Sequence, residues 1–357
     1  MRTVGVEEEF LLVNPAGRPI GVAGVAADGE AVELELMEQM LETGTVPCLT
    51  AAELADELDT GRRRAARSAL EAGAHLVALA TSPKKASRSV TAKERYERMV
   101  AEFGLTASEQ LTCGCHVHVE VADADEGVAV LDRISPWLPS LLALSANSPF
   151  WEGVDSGYAS YRSQVWQRWP TAGPTSPFST GAGYASMVKG LLDSGAALDA
   201  GMIYFDARLS QRYPTVEVRV ADVCLRAADA VLVALLVRAL VETAARAASA
   251  GEPPPETRVE LLRAAAWRAG RDGLEGTLVE PGSLQLVPAE TAIGALLEHV
   301  RPVLADHGET GLVASLWSAL RARGTGAKQQ RTWAGAGLTE VLRLAGDATL
   351  ERSVVGP

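Results

Sequence analysis

Four stretches of this sequence place ionisable residues two apart, the spacing that puts side chains on one side of an extended strand. In Val4-Gly-Val-Glu-Glu-Glu-Phe-Leu-Leu-Val13, Glu7 and Glu9 share one side while Val4, Val6, Phe10 and Leu12 share the other, and Glu8 is the odd carboxylate on the apolar side. Residues 111–121 send Thr112, His116, His118 and Glu120 one way and Cys113, Cys115, Val117 and Val119 the other. Residues 203–209 present Tyr204, Asp206 and Arg208 together, and residues 215–220 present Thr215, Glu217 and Arg219 opposite Val216, Val218 and Val220. One charged strand face is ordinarily a solvated face. Four of them, if neighbours in a sheet, concentrate more carboxylate than solvation explains.

A face holding Glu7, Glu9, His116, His118, Glu217 and Arg219 suits a hard divalent cation, Mg2+ with Mn2+ as the alternate. Zinc fits less well, because Cys113 and Cys115 point away from the two histidines and read as core packing. A strand-borne His-x-His also occurs in metal-dependent hydrolases, but such a site wants further histidines, and His75, His299 and His307 fall in helical patterns. The sequence has no Gly-x-x-x-x-Gly-Lys-Ser/Thr loop, and the glycines at 181 and 183 follow no strand, so a nucleotide would be held by metal ions and arginines. As a polar-face carboxylate, Glu217 is expected to hold the cation and to contribute little to packing.

The elements that must position these residues form a mixed pattern. Helical periodicity fills residues 51–80, 92–103, 125–145, 226–249, 257–269 and much of 289–323. A Pro-Pro-Pro linker at 253–255 separates a body, residues 1–249, from a helical C-terminal part, residues 257–357, expected to pack on the same domain. Residues 145–180, rich in Trp, Tyr, Pro, Gly and Ser, are long for an idle loop and read as a lid or binding loop. Trp267 to Arg271 and Lys328 to Arg331 read as solvated helix faces. The 357 residues carry a formal charge of -12, which leaves no basic surplus for nucleic acid or an anionic membrane. The apolar run 227–241 is broken by Asp229 and Arg238 and reads as a buried helix. Four unladdered cysteines and an N-terminus that starts as a strand point to a reduced cytoplasmic protein.

The order of motifs is more specific than any one of them. Gly5-Val-Glu-Glu-Glu-Phe10, Glu42-Thr-Gly-Thr45, Cys113-Gly-Cys-His-Val-His118, Ser145-Ala-Asn-Ser-Pro-Phe-Trp151, Gly157-Tyr-Ala-Ser-Tyr-Arg162, Tyr204-Phe-Asp-Ala-Arg208 and Pro214-Thr-Val-Glu-Val-Arg-Val-Ala-Asp222 follow one another along most of the chain. The set resembles the carboxylate-amine ligase family, also called glutamate–cysteine ligase type 2, of the glutamine synthetase-like fold. The resemblance implies an α+β protein, a curved antiparallel sheet bowl backed by helices. It implies MgATP, an acid such as glutamate, an amine such as cysteine, and a homodimer. By position it makes Glu7, Glu9, Glu42, His116 and Glu217 metal or nucleotide-site groups, and Arg162, Arg208 and Arg219 phosphate or carboxylate contacts. His118 and Asp206 complete the polar face. Glu120 and the Asp-Ala-Arg before Leu209 depart from the family's usual residues and leave the substrate pair open. A guanidino-type phosphotransferase on the same fold and a non-catalytic MgATP or amino-acid binder are the rival readings.

Overall fold

The computed structural model describes residues 1–22 and 32–353. Its first nine strands are β1 (Val4–Val13), β2 (Val32–Leu34), β3 (Met40–Gly44), β4 (His75–Val77), β5 (Gly114–Glu120), β6 (Phe150–Trp151), β7 (Val154–Asp155), β8 (Ala207–Leu209) and β9 (Thr215–Asp222). Seven of them make one antiparallel sheet in the order β2-β3-β1-β5-β9-β8, with β4 on the far end of β1, and β6 and β7 form a separate hairpin. The four strands with charged faces are therefore neighbours, as the alternation required. The sheet is curved, and one cause of bending is local. Between Cys115↔Ala221 and Val117↔Val218 the register slips, so that Arg219 and Val220 on β9 face His116 alone. Such a bulge kinks its strand and re-aims a side chain.

The helices cover the apolar face. Helix Ala227–Ser249 is buried along nearly its whole length and shares a core with Val4, Val6, Cys115, Val117 and Val119 of the sheet. Its two charged interruptions are each neutralised: Arg238 by Glu309 and the Leu49 carbonyl, Asp229 by Arg323. Helix Ala51–Glu71 starts at a reciprocal cap in which Thr50 Oγ1 accepts from Glu53 N–H and Glu53 accepts from Thr50 N–H, 3.2 and 3.0 Å. The helical pattern over 51–80 is corrected at its end. Gly73, at φ 77°, closes the helix with Gly73 N–H on the Leu70 carbonyl and Ala74 N–H on the Ala69 carbonyl, and the chain turns into β4. Residues 203–209 are likewise extended only at 207–209, because a 3-10 turn at Ala200–Met202 feeds them.

After the proline linker the chain is not purely helical. A hairpin of β10 (Thr277–Val279) and β11 (Leu286–Pro288) interrupts the helices. Ile293, Leu296 and Val300 join the core of helix Ala227–Ser249, and Leu342, Ala345 and Ala348 join Val77 and Leu12 in the second core. Among the described residues no helix is long and apolar enough to cross a membrane.

Glu8, the misplaced carboxylate of β1, has a dedicated partner. Arg62 donates to both its oxygens, at 2.6 and 2.9 Å, and both side chains are 1% exposed. The same guanidinium donates to the carbonyls of Cys224, Leu225 and Thr349, so one arginine ties β1, the end of β9 and the last helix together. Removing one member of a buried pair leaves an uncompensated charge. Arg62→Ala is expected to lower the unfolding free energy in urea by about 3–5 kcal/mol, and Arg62→Met with Glu8→Leu to recover most of that. An Arg62→Ala midpoint equal to that of the parent protein would show that the pair does not hold the layers.

Candidate metal and substrate cleft

The concave face of the sheet forms the floor of a cleft of about 560 Å³. Glu7, Glu9, Glu42, His116, His118, Arg208, Glu217 and Arg219 all line it. Cross-strand register explains the grouping. Glu7 lies opposite His116, Glu9 opposite Glu42, and Glu42 opposite Glu33. Glu7 bridges both histidines, with Oε2 3.4 Å from His116 Nδ1 and Oε1 3.4 Å from His118 Nε2. Donor atoms of Glu7, Glu42 and His116 come within 4.8 Å of one another, as do those of Glu7, His118 and Glu217, so Glu7 belongs to both sets.

The ionisation pattern follows the crowding. Burial pushes Glu7 up, but its contacts to His116 and His118 outweigh that and hold it well below the usual carboxylate range. Burial, and then the charges of Glu35, Glu7 and Glu9, push Glu42 well above that range. Burial and Glu9 push Glu35 up to about 7. Burial and the Arg219 charge lower His116, which keeps its imidazole neutral and able to donate a lone pair. His116 Nε2 is buried with no hydrogen-bond partner among the described residues, and His118 Nε2 has only the 3.4 Å approach of Glu7 Oε1. Unsatisfied imidazole nitrogens beside like-charged carboxylates are the donor set of a divalent cation, and the oxygen majority suits Mg2+ or Mn2+.

Glu217, expected to contribute little to packing, is instead buried at the hub of an ion-pair cluster. Arg208 grips both its oxygens, at 2.7 and 3.0 Å, and Arg219 binds it from the same strand. Burial raises Glu217, but Arg219, Arg208 and His118 bring it down to about 2. Arg208 also donates to the Gly201 and Ile203 carbonyls, so most of its donors are spent inside the protein. Arg219 stacks on Trp166 and Tyr204, 5.8 and 5.9 Å from the ring centroids.

Arg162 and Asp206 do not line this cleft. They flank a small cavity of about 30 Å³ behind Arg219 and Trp166. Arg162 is held there because its N–H donates to Ser148 Oγ, which itself donates to buried Asp222 at 2.7 Å. Its guanidinium passes over Gly114, where an added Cβ would lie 2.3 Å from Nη2. Burial pushes Asp206 up to about 7 against the opposing charge of Arg162. Glu120 also leaves the site, accepting from Thr3 N–H and Oγ1 at the strand end.

The stretch 145–180 forms a wall of the cleft in this structure. Asp222 accepts from Asn147 N–H and from the Ser148 and Ser160 hydroxyls, and the segment presents Trp166 and Trp169 to the cleft. The two tail segments expected to be solvated brace it. The Gly270 carbonyl accepts from Ser160 N–H, and buried Gln330 donates to the Asn147 carbonyl and Oδ1 at 2.8 and 2.7 Å. Sequence reasoning missed Glu33, Glu35, Lys93, Arg95, Arg212 and Tyr213, all on the cleft lining. Val32-Glu-Leu-Glu-Leu36 alternates like the other four strands and could have revealed the first two.

A cation entering beside Glu42 requires that carboxyl ionised. Because burial and the neighbouring carboxylates favour the protonated form of Glu42, cation binding there is expected to expel a proton and to tighten as pH rises. Titration of Mn2+ into the protein at pH 7, in buffers of different ionisation enthalpy, is expected to show about one proton released and its loss in Glu42→Gln. Buffer-independent heat would contradict this site.

Comparison with known proteins agrees with the geometry. The family model described as glutamate-cysteine ligase family 2 (GCS2) matches residues 3–338. A Frankia alni protein provisionally named glutamate–cysteine ligase 2-2 is 52% identical over 352 residues, covering 93% of this chain and 92% of its own. A Streptomyces avermitilis protein provisionally named glutamate–cysteine ligase 2-1 is 52% identical over 340 residues, covering 93% of this chain and 94% of its own. The fold is shared with a bifunctional glutathione synthetase from Pasteurella multocida, at TM-score 0.71 and 14% identity over 98% of this chain and 53% of that one. It is shared also with a Francisella tularensis glutamate–cysteine ligase in complex with AMP, at TM-score 0.69 and 13% identity over 98% and 89%. With its motifs in order along the whole sheet, this chain belongs to glutamate–cysteine ligase family 2.

Proposed function

We propose that the protein is an ATP-dependent ligase that joins an acid, glutamate or a close analogue, to an amine, cysteine or a close analogue, through an acyl phosphate. The observation that carries this reading is the sharing of Glu7 between two ligand sets at the bottom of one cleft, with Arg219 beside both. Glu7, Glu42, His116, His118 and Glu217 would hold Mg2+ there. Bound, it would neutralise charge on the phosphate oxygens.

The chain's own residues do the rest. Arg219, fixed between Glu217 and the faces of Trp166 and Tyr204, presents fixed positive charge where the γ-phosphoryl group must spread its negative charge. A carboxylate oxygen of the acid attacks the γ-phosphorus, and the bond to ADP breaks. The amine nitrogen then attacks the acyl carbon, phosphate leaves, and the nitrogen gives up its proton. Trp166, Trp169 and Tyr204, packed on one another at 4.8 and 5.4 Å, form a rigid apolar wall that limits water's access to the acyl phosphate. Arg208 acts on the reaction through Glu217, which it holds ionised and in place.

Purified protein with MgATP is expected to release phosphate only when an acid and an amine are both present, with an amide identified by mass. A stable phosphorylated product would indicate the phosphotransferase reading, and nucleotide binding without any turnover a non-catalytic binder. His116→Asn is expected to reduce amide formation on the order of 10²-fold, with a melting temperature within about 4 °C of the parent.

A further inference from the structure

Two charged residues that the motifs place at the site, Arg162 and Asp206, lie behind it, and both meet the backbone of Arg219. Arg219 and Val220 are the two residues of the β9 bulge that face His116 alone. A bulge interrupts the ladder, so its peptide groups need partners from elsewhere. Here the Arg219 N–H donates to the Asp206 carbonyl at 2.9 Å. The Arg162 guanidinium reaches the next two carbonyls, Nη2 to Arg219 and Nη1 to Val220, at 3.5 Å each. One planar fork thus spans both bulged residues.

The guanidinium has little other reason to stand there. Its ion pair with Asp222 is loose, at 4.0 Å, because that carboxylate already accepts from Asn147, Ser148 and Ser160. Its Nε is buried with no partner among the described residues, a costly arrangement for a side chain with 2% exposure. Yet the space is reserved for it. A Cβ on Gly114, across the ladder from Asp222, would lie 2.3 Å from Nη2. Its backbone N–H is fixed on Ser148 Oγ at 3.0 Å, and its guanidinium shares the Trp166 ring with that of Arg219, at 5.4 and 5.8 Å. From the bulge the Arg219 side chain reaches the cleft floor, where Nη1 stands 3.5 Å from His116 Nδ1 and binds Glu217.

We infer that Arg162 is a positioning residue: it clamps the β9 bulge through the Arg219 and Val220 carbonyls and so sets where the Arg219 guanidinium stands between the ligand sets. It acts without touching substrate. Behind the bulge lies the cavity of about 30 Å³, room for about one water molecule. Without the fork, the bulge settles back into that space and draws Arg219 away from His116. A displacement of about 1 Å is enough to slow a reaction on the order of 10²-fold. The inference rests on the ligase reading only for what Arg219 does to the phosphoryl group.

Arg162→Lys keeps a positive charge beside Asp222 but not the fork, and Arg162→Met removes both. Hydrogen exchange on the full-length protein reads the clamp directly. The Arg219 amide is expected to lose protection on the order of 10-fold in Arg162→Met, relative to the other amides of β5 and β9, and less in Arg162→Lys. In turnover with MgATP, kcat for amide formation is expected to fall on the order of 10²-fold in Arg162→Met and less in Arg162→Lys, with KM for acid and amine within about twofold of the parent. Should Arg162→Met not fold, the same two readouts in Arg162→Lys decide. Loss of protection confined to Arg219, in a protein that makes no amide even as the parent, would sink the ligase reading and keep the inference. An Arg219 amide that keeps its protection, or loses it only in step with the whole sheet, would overturn the inference, as would an unchanged kcat or a loss confined to KM.

Discussion

The constraint on which this structure depends is the crowding of carboxylates on one sheet face. Glu33, Glu42 and Glu9 stand directly opposite one another on three adjacent strands, and Glu7 stands next to them on the same face. Like charges opposite each other in a ladder destabilise it. The protein answers with partners from the neighbouring strands β5 and β9. Glu7 leans on two histidines, Glu9 accepts the Gly114 N–H at 2.5 Å, and Arg219 arrives through a bulge aimed at His116. The remaining imbalance shows in the raised pKa of Glu42, and it is the imbalance that a divalent cation would remove.

A face with this much unfavourable charge cannot supply its own rigidity, so the opposite face does. Helix Ala227–Ser249 packs on β5 and β1, and the Arg62 hub reaches through the apolar layer to Glu8 on β1. A second buried carboxylate, Asp222, organises the wall. It fixes Asn147, Ser148 and Ser160, and through Ser148 the backbone of Arg162. The C-terminal helices complete that wall by holding Asn147 from behind with Gln330, and Gly326 allows the approach, since a Cβ there would lie 2.0 Å from Asn147 Oδ1. The C-terminal segments thus reach the chemistry only indirectly, by stiffening the residues that line it.

The division of labour among the arginines is the chemical consequence. Arg208 and Arg219 resemble each other in sequence, each on a strand and each in a polar register. In the structure one is saturated by Glu217 and two carbonyls, and the other sits against aromatic rings at the point where two ligand sets meet. Arg162, which shares their motif context, is withdrawn behind them into the wall.

Much of this was legible in the residues themselves. A period of two in four segments told which side chains share a face, because strand geometry leaves no other choice, and so Glu7, Glu9, His116, His118, Glu217 and Arg219 were found together. The apolar run 227–241 was long enough, and interrupted enough, to specify a buried helix. What periodicity does not contain is partner identity. That Glu8 would meet Arg62, that Glu217 would be flanked by two arginines, and that Arg162 and Asp206 would turn away from the cleft were decided by strand order, by the bulge in β9 and by Asp222. These are contacts between residues far apart in the chain, and a local pattern carries no record of them. The sequence by itself determined which faces are polar; only the tertiary structure decided which charges cancel and which remain for a ligand, because pairing depends on distances that packing alone sets.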